Sequence, residues 1–294
     1  MGLITDIDGA VAGYEAVSLP LPPEDPSGTQ GLDGAVLRRR SARPTKRAVI
    51  YLHCLDDPFV PAEVASWYTD RGFHFYVADL RRLAGRGRVE TGHPGYDSAA
   101  ELDAYFGYLD LAAQHVRDAD GMETVVVGAH ATGALVAALW CHARRGSRPA
   151  DALILASPAL RPGSWLTRAR LAGRRARRAA PLLAVLRRRV RRGLDISCPV
   201  LVLCPAADWD ATGGPGGLLA LPGLAGLGGL GGLGGLGGLG GLGGGQAVMR
   251  LGPHVTWRKV DEAAAAGTGL GQLLDEQGRW LGAYLSSQIR DQLL

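Results

Sequence analysis

Short apolar runs recur along the chain, separated by longer segments whose apolar residues keep helical spacing. Ala48-Val49-Ile50-Tyr51-Leu52 is nearly uninterrupted, as expected of a parallel strand buried on both faces. Phe73 to Leu80, Thr124 to Val127, Ala152 to Leu155, Pro199 to Leu203 and His254 to Val260 are runs of the same kind. Tyr14 to Pro20 and Gly34 to Arg39 read as two further β segments around a Pro/Gly/Asp turn region. Between the runs lie helices. Pro61 opens one, with Val64, Trp67 and Tyr68 on one face and Gly72 as its stop. A second begins at the capping box Ser98-x-x-Glu101, in which each side chain satisfies a free backbone amide. Its apolar face is Leu102, Tyr105, Phe106, Leu109, Ala113 and Val116, and Asp118-Ala119-Asp120-Gly121 ends it. Leu273 to Leu285, with Trp280, reads as a terminal amphipathic helix. Strands alternating with helices of ten or more residues imply right-handed βαβ units and an α/β fold, a mostly parallel sheet with helices on both faces.

Two segments break the rhythm. Residues 213–245 are rich in glycine and leucine, with six successive Leu-Gly-Gly units from Leu227 and no proline within the repeats, so a collagen-like helix is not expected. Ordering so much glycine costs entropy that isolated leucines cannot offset. The block reads as a disordered low-complexity insertion. Residues 161–192 contain twelve arginines and no acid. Leu182, Leu183, Val185, Leu186 and Val190 lie beside Arg187, Arg188, Arg189, Arg191 and Arg192, the pattern of an amphipathic basic helix. Such a segment can meet an anionic membrane surface or nucleic acid. The plainer reading is a solvated helical excursion whose arginines face water, and no nucleic-acid partner is expected.

Composition adds bounds. A chain of 294 residues, 47% apolar and 20% charged, suits one large domain or two small ones with a substantial core. Net charge is only +4, so outside the arginine segment the chain is net acidic. The cysteines Cys54, Cys141, Cys198 and Cys204 have neither C-x-x-C nor zinc-ligand spacing. Three lie in or beside apolar runs, where a free thiol acts as a small hydrophobe, and a reducing cytoplasm fits. The first residues lack the basic and apolar regions of a signal peptide, and no run approaches the length of a transmembrane helix. No metal or cofactor is expected.

The chemistry centres on Thr124 to Trp140, a β-branched run, a tight turn of small residues and a run of strong helix formers. This strand, turn and helix resembles the nucleophile elbow of α/β-hydrolases, whose G-x-S-x-G pattern lifts a serine above the sheet. Here the turn is Ala129-His130-Ala131-Thr132-Gly133-Ala134, with Ala131 in the serine's place. Other motifs follow in the family's order. Leu52-His53-Cys54-Leu55 resembles the strand ending in His-Gly, with Cys54 in the glycine's place. Asp79-Leu80-Arg81 resembles the family's Asp-x-Arg loop, and Pro199 to Leu203 followed by Asp208 resembles the strand that delivers the catalytic acid. The chain is similar to the serine aminopeptidase, lysophospholipase and monoacylglycerol lipase branch, especially its actinobacterial members, over roughly residues 12–158 and 190–290.

That resemblance implies an α/β-hydrolase fold in which residues 1–160 begin the core, 161–193 form a reduced Arg-rich cap, 194–212 carry the acid strand and loop, 213–245 are the insertion, and 246–294 complete the core. It places Ala131 at the nucleophile position, Asp208 at the acid position and Ala265 at the base position. Relatives can supply the acid from slightly further on, in the stretch taken here by the repeats. Cys54, Leu55 and Thr132 fall at the oxyanion-hole positions. Without the serine and the histidine, the implied protein is a pseudoenzyme whose old pocket holds a small acyl-containing ligand or a protein partner. An active ester or peptide hydrolase using non-standard residues, such as Thr132 or Cys54 with His53 or His130, is the competing expectation. Anionic-surface binding through the arginines is a third.

Overall fold

The computed structural model describes residues 13–19, 34–53, 62–80, 98–158, 174–206, 254–261 and 270–293. Eight strands form one sheet: β1 (Glu15–Leu19), β2 (Gly34–Arg39), β3 (Arg47–Leu52), β4 (His74–Ala78), β5 (Thr124–His130), β6 (Ala152–Ala156), β7 (Val200–Pro205) and β8 (Val255–Val260). They lie side by side in the order β1-β2-β4-β3-β5-β6-β7-β8. β1 pairs antiparallel with β2, and β2 antiparallel with β4; every later pairing is parallel. The mostly parallel sheet expected from the alternating runs is therefore present, and β2 occupies the residues expected of it.

Alternation along each central strand sorts side chains between two cores. Ile50, Val125, Val127, Leu153, Leu155 and Val202 pack with α2 (Ser98–Gln114) and α3 (Thr132–Ala143). Val49, Val126, Ile154, Leu201 and Leu203 pack with α1 (Ala62–Asp70) and α5 (Leu270–Leu293) on the opposite face. Both faces of these strands are dry, which is why their sequences are nearly continuous in apolar residues.

Element ends follow their local signals. Gly72, at φ 78°, ends the turn after α1, and Gly121, at φ 69°, follows the end of the second helical segment. α2 does not stop at Gln114; it runs on as one π-helical turn, His115–Ala119. Asp120 anchors that turn to the sheet, accepting hydrogen bonds from Arg38 of β2 and from the Tyr76 hydroxyl of β4 at 2.6 Å. α5 docks on α1 at Gly278, where a side chain's first carbon would lie 2.9 Å from the Trp67 ring. Beside it, the Tyr68 hydroxyl donates to Gln277 Oε1 at 2.6 Å, both residues being buried.

Within the arginine-rich segment the described part is α4 (Arg174–Arg191). Its Leu182, Leu183, Leu186 and Val190 are buried in the same core as α2 and α3. Arg187 is only 7% exposed, which departs from the expectation that all these arginines face water, whereas Arg188 and Arg192 are exposed. Cys141, Cys198 and Cys204 are buried, as their apolar settings implied. The Leu-Gly-Gly block lies outside the described residues.

Candidate functional site: the strand-to-helix elbow

β3, β4, β5 and β6 run parallel, so the residues that follow them gather along one edge of the sheet. These are His53, Asp79, Ala131 and Ser157. At this carboxyl edge, open α/β sheets bind their ligands.

The elbow is built from β5, one turn residue and α3. Ala131 is that residue, at φ 51° and ψ −115°, a region that side chains with a Cβ seldom enter. Its N–H donates to Ala156 O of β6 at 3.0 Å, tying the turn to the neighbouring strand. Thr132 follows as the first residue of α3 and is buried. Gly133 is forced by proximity. A Cβ there would lie 2.4 Å from His53 O and 2.9 Å from Leu52 O, well inside van der Waals contact.

His53 and Asp79 form a buried pair one strand away, with Nε2 of the imidazole 3.1 Å from Oδ1 of the carboxylate. The Asp79 backbone N–H donates to the Tyr108 hydroxyl at 3.2 Å, which fixes the loop that carries the acid. The sequence places His53 beside the oxyanion turn and Asp79 in the Asp-x-Arg loop; their contact is a product of the β3–β4 register, in which Leu52 faces Ala78.

Ala131 and Thr132 are thus together at the elbow. Cys54, Leu55, Asp208 and Ala265 lie outside the described residues. Ser157 lies at the same edge, in a Ser-Pro step. It has φ 45°, sits directly after β6, and donates its backbone N–H to Leu203 O at 2.8 Å. Its hydroxyl is buried and has no hydrogen-bond partner among the described residues. A Ser-Pro step after a strand marks a turn but gives no warning of a positive φ, so composition alone could not single it out.

A cleft of about 380 Å³ is found elsewhere, lined by Asp110, Gln114, Arg117, Trp140, Arg144 and Arg148 among others. It sits by the last turn of α3 rather than the first, so it is not the elbow pocket. Its charges are largely paired: Arg144 with Asp110 at 2.8 Å and Arg117 with Asp151 at 3.0 Å. Among the described residues no group of three or more His, Cys, Asp or Glu side chains is placed to hold a metal ion. No described helix is long and apolar enough to cross a membrane.

Comparison with known proteins agrees with this geometry. Residues 44–208, more than half of the chain, match the serine aminopeptidase S33 family. The chain belongs to that family. Its fold is therefore that of the α/β-hydrolases, as the strand order and elbow indicate. Among solved structures, MenH from S. aureus is similar at 15% identity and a TM-score of 0.51, over 84% of this chain and 98% of that one. A hyperthermophilic esterase from the archaeon Pyrobaculum calidifontis is similar at 17% identity and a TM-score of 0.46, over 66% of each chain. No curated protein is significantly similar in sequence.

Proposed function

We propose that this S33-family chain is a pseudoenzyme that binds a small acyl-containing ligand at the elbow without hydrolysing it. The observation that carries the reading is Ala131, a methyl group held at φ 51° on the turn where the family's nucleophile belongs. The backbone frame is retained, and the attacking atom is replaced. A methyl group has no lone pair with which to attack a carbonyl. In this reading Ala265 stands at the base position and Asp208 at the acid position, so of the three catalytic groups only the acid remains.

Activity measurements on four proteins test this. The parent should not turn over short acyl esters above background, and a fluorophosphonate probe should not label it. Ala131→Ser should recover almost nothing, because triad members act as a unit and no histidine takes the new hydroxyl's proton. Ala265→His alone should be inert. The double variant should recover slight turnover, provided Asp208 orients the ring.

One observation favours a second reading. The buried His53–Asp79 pair has the separation of a base and its orienting acid, so an active hydrolase with Cys54 as its nucleophile is the competing proposal. Robust labelling of the parent at Cys54, or at Thr132, would establish that reading and remove the first. Anionic-surface binding through α4 is weaker support for a role, since the leucines that would enter a membrane are already in the core.

A further inference from the structure

The cleft by the last turn of α3 gathers three arginines from three pieces of chain. Arg117 comes from the π-helical turn, Arg144 from the residue after α3, and Arg148 from the turn into β6. Two of them are oriented by acids that also hold the fold together. Asp110 accepts Nε of Arg144 at 2.9 Å, lies 2.8 Å from its Nη2, and accepts the Trp140 indole N–H at 2.8 Å. Asp151 accepts Nη2 of Arg117 at 3.0 Å and the Val125 backbone N–H at 2.8 Å. Donors are left over. Nη1 of Arg144, and Nε and Nη1 of Arg117, have no acceptor among the described residues.

Arg148 is held differently. It is exposed and has no ion-pair partner among the described residues. Its backbone is left-handed, at φ 47° and ψ 64°, a conformation that glycine enters at no steric cost. An arginine there stores strain, and such strain gathers at ligand clamps and other functional positions. Three cations against two acids leave the cleft with one net positive charge. Carbonyls ending α3 do not cancel it, because they are already occupied. Trp140 O accepts the Arg144 N–H at 2.9 Å, and His142 O accepts Nη1 of Arg145 at 3.0 Å.

We propose that this cleft binds the phosphate group of a small organic phosphomonoester, gripped by Arg117, Arg144 and Arg148. The site lies at the opposite end of α3 from the elbow; it goes beyond the function proposed above and does not depend on it. Guanidiniums from three sides match the several acceptor oxygens of a phosphate. Their orientation by Asp110 and Asp151 reduces the entropy lost when a ligand fixes two long side chains. A carboxylate, with two oxygens and a single charge, is the weaker match. The volume of about 380 Å³ is in the range of small-ligand sites and leaves room for an organic part beside Ala113 and Pro149.

Calorimetric titration of the full chain with phenyl phosphate tests the site, with backbone amide resonances reporting where the ligand sits. Phenyl phosphate should bind saturably and shift the amides of Gln114, Ser147 and Arg148 while leaving those of Gly133 and Ser157 in place. Inorganic phosphate should bind more weakly, since it lacks the organic part, and benzoate more weakly than phenyl phosphate. Arg148→Gln should weaken phenyl phosphate about tenfold, the loss expected for one hydrogen bond to a charged group. Its thermal midpoint should match the parent's, because no ion pair among the described residues is broken. Absence of saturable binding, shifts confined to the elbow, benzoate binding as tightly as phenyl phosphate, or undiminished affinity in Arg148→Gln overturns the proposal. So does inorganic phosphate binding as tightly as the ester, which would make the cleft a bare anion site. A lowered midpoint in Arg148→Gln also overturns it, since the arginine would then serve the fold rather than a ligand.

Discussion

A methyl group on Gly133 would meet two backbone oxygens, those of His53 and Leu52, at 2.4 and 2.9 Å. Neither oxygen belongs to a flexible side chain, so relief requires α3 to move away from β3. We expect Gly133→Ala to cost about 3 kcal/mol of stability, at the upper end for overpacking, measured by urea unfolding. Ala131 presents the converse case, a Cβ where φ is 51°. Ala131→Gly should relieve strain and raise stability by up to about 1 kcal/mol, less whatever the lost methyl contributes. A large destabilisation in that variant would mean that the methyl is tightly packed and the turn unstrained.

At the scale of elements, α4 is the piece whose sequence is most open to misreading. Its arginines dominate the composition, yet its Leu182, Leu183, Leu186 and Val190 pack with α2 and α3. Leu186 is wholly buried. Truncation to Leu186→Ala should therefore cost about 2–5 kcal/mol, like other large-to-small changes in a core. A helix lying loosely over the surface would lose far less. Chemical unfolding of the variant separates the two, and a change within experimental error would show that α4 is dispensable to the core.

Over the whole molecule, acid should unfold the protein in stages set by groups that resist protonation. His74 Nδ1 accepts a hydrogen bond from the Ser41 N–H at 3.0 Å. Burial, and then the nearby Arg40, hold its pKa below the ordinary histidine value of 6.5. The unfolded chain takes up that proton first, so His74's contribution is complete above about pH 6.5 and is lost as pH falls through the lower folded value. Asp120 follows. Burial would raise its carboxyl, but hydrogen bonds from Tyr76 and Arg38 outweigh that and hold it below 3.8. Its contribution is present above that pH and is lost as the acid protonates in the folded state. Stability plotted against pH should decline in two steps, each no steeper than about 1.4 kcal/mol per pH unit for one proton. His74→Gln should remove the upper step and Asp120→Asn the lower. A single step unaffected by either variant would place the acid sensitivity elsewhere.

The sequence by itself determined the sheet's central strands, because runs such as Ala48 to Leu52 are apolar on both faces and have few other stable settings. It also determined that residue 131, on the elbow turn, is an alanine, whatever the fold. Helix stops at Gly72 and Gly121 were legible because each rests on local backbone chemistry. Tertiary structure decided what depends on register and packing. His53 meets Asp79 only because β3 and β4 align Leu52 with Ala78. Asp120 caps the π-helical turn only because Arg38 and Tyr76 converge on it from two strands. Gly133 is obligatory because α3 crosses close to the end of β3, and Ser157 acquires a buried hydroxyl, unpartnered among the described residues, from where β6 ends beside the elbow. Local patterns record which face of an element avoids water; which side chains then meet across that face is set by the assembled sheet.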